Sequence, residues 1–150
     1  MSDHVDVLII GAGLSGIGTA TRLQRERPGS TFEILEARDA IGGTWDLFQY
    51  PGIRSDTDAF TMGYSFRPWR GRESITSGDS LRAYIRDMAR EAGVDRRIRF
   101  RTKALGASWS SETARWTVRA ETDGRPVEIT ANFLYVCAGY YDYDQGHAPH

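Results

Sequence analysis

The sequence predicts an α/β fold in which a parallel sheet carries an antiparallel β-meander inserted before its last strand. Three observations predict it. A nearly continuous apolar run at residues 5–10 (VDVLII) stops at Gly11 and gives way to an apolar residue every third position, the pattern of a strand buried on both faces followed by a helix. Three alternating stretches, Leu105/Ala107/Trp109, Trp116/Val118/Ala120 and Val127/Ile129/Ala131, are separated by breaks at residues 110–113 and at Asp123-Gly124, as in antiparallel strands joined by turns. A second continuous apolar run, residues 133–137, closes at Ala138-Gly139.

Taken in order, the first strand is residues 5–10. Leu14, Ile17, Ala20 and Leu23 then set a helical spacing that Pro28-Gly29 ends, which predicts a helix from Leu14 to Arg27. Residues 31–36 (TFEILE) form the second strand, and the β–α–β unit makes the two strands parallel. Residues 40–76 lack periodicity but are rich in Gly, Pro and aromatic side chains; a stretch that long is functional or disordered, and its aromatic content argues for order. Leu81, Tyr84, Ile85, Met88, Ala89 and Ala92 share one helical face, with Ser77 or Asp79 to cap the start and Gly93 the end. That stripe reads as core packing. Residues 98–102 make a third parallel strand. In the meander that follows, Trp109 and Trp116 read as core, and Cys137 in the last strand reads as a small buried apolar residue.

Composition narrows the function. The chain has 150 residues, 40% of them hydrophobic, with 16 Gly and 5 Pro, enough for one domain and too little Gly and Pro for a low-complexity chain. The net charge of −1 gives no general attraction to nucleic acid, so the arginines at 67, 70 and 72 and at 96–101 read as solvated faces. Apolar runs fall far short of the ~20 residues that span a bilayer. Ser2, Asp3 and His4 do not resemble the start of an export signal, and the single cysteine permits neither an internal disulfide nor a Cys-x-x-Cys pair. A cytoplasmic location is expected. His4, His147 and His150 with one cysteine suggest no metal site.

The chemistry is carried by glycines. Gly11-Ala12-Gly13-Leu14-Ser15-Gly16 is a Gly-x-Gly-x-x-Gly between a strand and a helix, the context that makes the motif a dinucleotide fingerprint. Gly11 permits the tight turn, Gly13 lets a pyrophosphate reach the backbone, and Gly16 lets helix and sheet pack closely. The helix N-terminus, Ser15 included, offers N–H groups to the phosphates. Glu36 ends the second strand, where a carboxylate accepts from a ribose diol and repels a 2′-phosphate. These features predict a Rossmann-like domain. They do not separate NAD from FAD, which share the adenosine diphosphate half. Gly42-Gly43 can bring a second stretch of bare backbone to the far side of the pyrophosphate, at a spacing seen in FAD-binding oxidoreductases. Thr44 and Trp45 then offer a hydroxyl and an aromatic plane, unless the pair is a surface turn before a core Trp. On residue type alone, Arg54 and Asp56 read as a local ion pair, and Asp46 and Asp58 as solvated carboxylates.

Gly42-Gly43-Thr44-Trp45 followed by Tyr50-Pro51-Gly52-Ile53-Arg54-Ser55-Asp56 resembles the flavin segment of the Baeyer–Villiger monooxygenases, the class B flavoprotein monooxygenases. Phe66-Arg67-Pro68-Trp69 and Tyr140-Tyr141-Asp142-Tyr143-Asp144 extend the likeness over essentially the whole chain. The resemblance implies that Gly11, Gly13, Ser15 and Gly16 hold the FAD pyrophosphate and Glu36 the adenosine ribose. It puts Gly43 beside the pyrophosphate and Thr44, Trp45, Asp46 and Leu47 along the flavin. Asp56 would lie near the isoalloxazine, Arg54 and Ser55 would border the nicotinamide side, and Ala104, just after the third strand, would meet the adenine through its backbone. It implies an incomplete FAD-binding domain over residues 1–150, with the NADP-binding domain absent, because the sequence has one Gly-x-Gly-x-x-Gly. FAD, and NADPH in the intact enzyme, would be the cofactors, and oxidation of ketones to esters the reaction. Sulfoxidation of thiocarbonyl compounds is a further activity within the group. No catalytic residue is expected in this chain, and it is expected to be inactive alone. Two other readings stay open: a different FAD-dependent oxidoreductase, such as an N-hydroxylating monooxygenase, and a non-catalytic binding module or remnant.

Overall fold

In the computed structural model, which describes residues 4–141, six strands form one sheet. The elements are β1 (His4–Ile10), α1 (Leu14–Glu26), β2 (Phe32–Leu35), α2 (Thr44–Leu47), α3 (Ala59–Met62), α4 (Gly78–Ala92), a 3₁₀ turn (Val94–Arg97), β3 (Ile98–Arg99), β4 (Thr102–Ser110), β5 (Arg115–Thr122) and β6 (Arg125–Val136). The sheet order is β3-β2-β1-β6-β5-β4. β1 pairs in parallel with β2 and β6, and β2 with β3, while β4-β5 and β5-β6 are antiparallel.

Period-2 alternation sorts the core into two layers. Ile9 and Ile34 join α1 and α4 in one cluster, with Ile17, Ala20, Tyr84, Ile85 and Met88. Their neighbours Leu8 and Leu35 point the other way and meet Val118, Ala120, Ile129 and Ala131 from the meander. The parallel strands are therefore covered by helices on one face and by the meander on the other, as their continuous apolar sequence requires. The stripe on α4 is core, as its spacing predicts, with Leu81, Tyr84, Ile85, Met88 and Ala89 buried. Ser77 caps α4 by accepting from the Ser80 N–H, and Gly93 ends it at φ 69°.

Four details differ from the sequence expectations. The third parallel strand is Ile98–Arg99 alone, because Arg101 turns the chain at φ 50° and Thr102 already belongs to β4. The last meander strand and the last parallel strand are one 12-residue strand, β6. No Gly or Pro stands between Ala131 and Phe133 to break it, so β6 pairs with β5 as far as Ala131 and with β1 through Val136. Trp109 and Trp116 are not core: they face each other across the β4-β5 hairpin at 5.5 Å, and Trp109 is 47% exposed. Cys137 lies just past β6 and is half-buried.

Between β2 and α4 the chain is ordered by its aromatic side chains, as the composition suggests. Tyr64 stacks on Phe66 and on Tyr84, and Trp69 packs edge-on against Tyr84. Asp58, expected to be solvated, is half-buried and caps α3 through the Phe60 N–H. Hydrogen bonds from Thr61 and Ser74 hold its carboxyl below the ordinary carboxylate range. Among the described residues no helix is long and apolar enough to cross a membrane, and no group of three or more His, Cys, Asp or Glu is placed to hold a metal ion.

Candidate cofactor site

The turn from β1 into α1 is held from behind. The Gly11 N–H donates to the Leu35 carbonyl at 2.7 Å, and the Ala12 N–H donates to Glu36 Oε2 at 2.8 Å. A β-carbon on Gly11 would stand 2.5 Å from the Cys137 carbonyl oxygen, and one on Gly16 only 1.8 Å from the Gly11 carbonyl oxygen. These two glycines serve the fold, letting strand, turn and helix touch through main chain.

Gly13 is different. Its β-carbon would meet nothing closer than Gly43 Cα at 3.5 Å. The Gly42 N–H donates to the Ala12 carbonyl at 3.1 Å, so the two glycine turns lie against each other. Gly42 and Gly43 take φ 140° and 56°, a conformation that favours glycine. The result is a patch of main chain without side chains, formed by Gly13 and Gly43 at the start of α1. Gly13 caps this 13-residue helix, no side chain hydrogen-bonds its end, and its first turn has no acidic residue. Exposed N–H donors and an uncompensated positive helix end suit a phosphate group.

Glu36 is buried at the foot of this patch. Its Oε2 accepts from Ala12 and its Oε1 from the Arg38 N–H at 2.9 Å. A carboxylate has about four acceptor positions, so two hydrogen bonds leave capacity for a diol. Ala104 does not follow the third strand directly. It lies within β4, paired with Ala120 next to a bulge, and its strand meets the site through Thr102, whose N–H donates to the Glu36 carbonyl at 2.9 Å.

In α2, Trp45 packs against the helix-side core. Asp46 is not solvated: it is 5% exposed and ion-paired with Arg38 and with Arg86, the latter at 2.6 Å. Leu47 is half-buried. Ser55 is buried, its hydroxyl donating to the Thr57 carbonyl, whereas Arg54 and Asp56 are exposed and form no ion pair with each other. Arg54 bridges to Ser77, placing residues 54–56 at the start of α4. The structure thus brings Gly11–Gly16, Glu36 and Gly42–Asp46 together, sets residues 54–56 beside the start of α4, and leaves Ala104 two positions along β4 from the Thr102 contact; Asp142, Tyr143 and Asp144 lie outside the described residues.

Three participants were not legible in the sequence. Arg38 and Arg86 look like two more surface arginines among many. Tyr64 donates to the Leu14 carbonyl at 2.5 Å, anchoring the first residue of α1. Burial, aided by Tyr84, pushes its phenol well above the usual range. The one signal is Gly18, whose β-carbon would lie 2.6 Å from the Tyr64 ring.

The chain as a whole has counterparts among known proteins. Residues 9–70 match the family described as the NAD(P)-binding Rossmann-like domain. Over 149 residues the chain is 54% identical to the FAD-containing monooxygenase EthA of Mycolicibacterium smegmatis, a match covering 99% of this chain and 30% of that protein. By sequence and by fold, the chain matches the FAD-containing monooxygenases. The chain spans about 30% of the length of the curated relatives it matches. Among solved structures, an oxidized steroid monooxygenase bound to NADP superposes with a TM-score of 0.83 at 34% identity, over 92% of this chain and 26% of that one. A complex of OTEMO with FAD and NADP gives 0.81 at 28% identity, over 97% and 27%. The Rossmann-like fold is the one the first glycine motif predicts, and the likeness to flavin monooxygenases extends along the whole chain.

Proposed function

We propose that the chain binds FAD and forms the FAD-binding part, residues 1–150, of an NADPH-dependent flavin monooxygenase. The observation that carries this reading is the meeting of Gly13 and Gly43 at the start of α1, where no side chain caps the helix, with Glu36 beneath. In this reading the N–H groups at the start of α1 receive the pyrophosphate and the bare backbone at Gly13 and Gly43 lets it approach. Glu36 accepts from the adenosine ribose and disfavours a 2′-phosphate, which separates this site from an NADP site. Thr44, Trp45 and Leu47 stand on the flavin side, with Arg54, Ser55 and Asp56 bordering the region where a nicotinamide would enter. The bound flavin supplies the redox and oxygen chemistry, and the protein places and shields it.

In this reading the whole enzyme oxidises ketones to esters with NADPH, with sulfoxidation of thiocarbonyl compounds as a further activity of the group. No residue of this chain is assigned a catalytic role. A cytoplasmic setting accords with a single, half-buried cysteine. FAD, NAD and NADP titrated separately into the purified chain, followed by tryptophan fluorescence, test the reading. FAD should bind tightest; tighter binding of NADP would overturn it.

A further inference from the structure

We infer that Arg38, Asp46 and Arg86 form a clamp that positions the Gly42-Gly43 turn for the cofactor's pyrophosphate. This inference rests on the FAD-binding reading and assigns Asp46 a role other than flavin contact. Its carboxylate is almost fully buried, with one oxygen engaged by Arg38 and the other by Arg86. It presents little surface to a ligand.

The two guanidinium groups do more than neutralise it. Arg38 Nη1 donates to the Gly43 carbonyl at 3.1 Å, and Arg86 Nε donates to the Ile41 carbonyl at 3.1 Å. The carbonyls on either side of Gly42 are therefore each held by an arginine, and one carboxylate holds both arginines. Gly42 also sits directly on Asp46, since a β-carbon there would come 2.8 Å from Asp46 Cβ. The turn needs such restraint. Two successive glycines have wide conformational freedom, yet a pyrophosphate site requires the backbone at Gly43 to stay against Gly13. Arginine suits the task because its planar fork donates in two directions at once. Arg86 belongs to α4, forty positions along the chain from Asp46, so the turn is tied to a 15-residue packed helix rather than to its own loop.

The test separates a pyrophosphate clamp from a flavin contact by using two probes, FAD and ADP. ADP carries the pyrophosphate and adenosine but no isoalloxazine. Dissociation constants for both are measured by calorimetry with the wild-type chain, Asp46→Asn and Arg86→Met, at a temperature where circular dichroism shows each folded. Asp46→Asn should weaken FAD and ADP by similar factors of about tenfold, the scale of one lost set of positioned hydrogen bonds. Arg86→Met should weaken both in the same way while Asp46 keeps Arg38, and it decides the matter if Asp46→Asn does not fold. Loss for FAD alone would overturn the clamp in favour of direct flavin contact. A lower melting temperature with both affinities unchanged would reduce the trio to a structural ion pair. Wild-type chain that binds neither probe would overturn the FAD reading itself.

Discussion

A β-carbon at Gly13 and one at Gly16 have opposite consequences, although both positions belong to the same motif. At Gly16 it would collide with the Gly11 carbonyl, whereas at Gly13 it meets only ordinary contact distances. Gly16→Ala should therefore destabilise the chain by roughly 1–3 kcal/mol, as overpacking does, visible as a lower thermal midpoint. Gly13→Ala should cost the unliganded fold under about 1 kcal/mol yet remove FAD binding. A collapse of far-UV circular dichroism in Gly13→Ala would show that this glycine serves the fold first. At Glu36, replacing the carboxylate with an amide removes charge-assisted acceptance. Glu36→Gln should weaken FAD by about 1–2 kcal/mol and narrow the preference for FAD over NADP. The glycines and Glu36 were legible because spacing and a flanking strand and helix define them. Asp46 was misread as solvated, because nothing in the sequence shows that residues 38, 46 and 86 converge.

The elements were legible wherever periodicity and punctuation agree. α4 has both, with a continuous apolar stripe, Ser77 before it and Gly93 after. Ser77→Ala should accordingly cost about 1 kcal/mol, measured by thermal unfolding. β3 and β6 were harder. The left-handed turn at Arg101 has no glycine to announce it, and the junction between the two roles of β6 has no breaker at all. Tyr64 links the aromatic segment to α1, and burial raises its pKa above the ordinary 10. A phenol that stays protonated in the folded chain gives stability that is fully present below pH 10 and lost as pH rises above it toward the folded value. Tyr64→Phe should flatten that alkaline loss by up to ~1.4 kcal/mol per pH unit, seen by comparing urea midpoints between pH 9 and 11. Past Ala131, β6 loses β5 as a partner, and Phe133 and Tyr135 are 55% and 45% exposed. Such an edge invites association. Phe133→Ser with Tyr135→Ser should lower the sedimentation-average mass at high concentration; an unchanged mass would show that this edge is not the contact.

For the whole molecule, the layering explains why the site lies where it does. The helices and the meander cover the parallel strands on opposite faces, and the turns at the carboxyl ends of β1 and β2 stay free to meet a ligand, the usual place for one in a parallel sheet. The sequence carries one Gly-x-Gly-x-x-Gly, so the chain by itself should bind FAD without catalysing substrate-dependent consumption of oxygen with NADPH. An oxygen-electrode trace with a ketone or thioether checks this. The claim beneath all of these expectations is that the two glycine turns form one cofactor site. Amide hydrogen exchange with and without FAD tests it most directly. Protection should rise together at residues 12–17, 36–38 and 41–47, and stay unchanged along the β4-β5 hairpin. Protection confined to the first glycine turn, or found elsewhere in the chain, would contradict it.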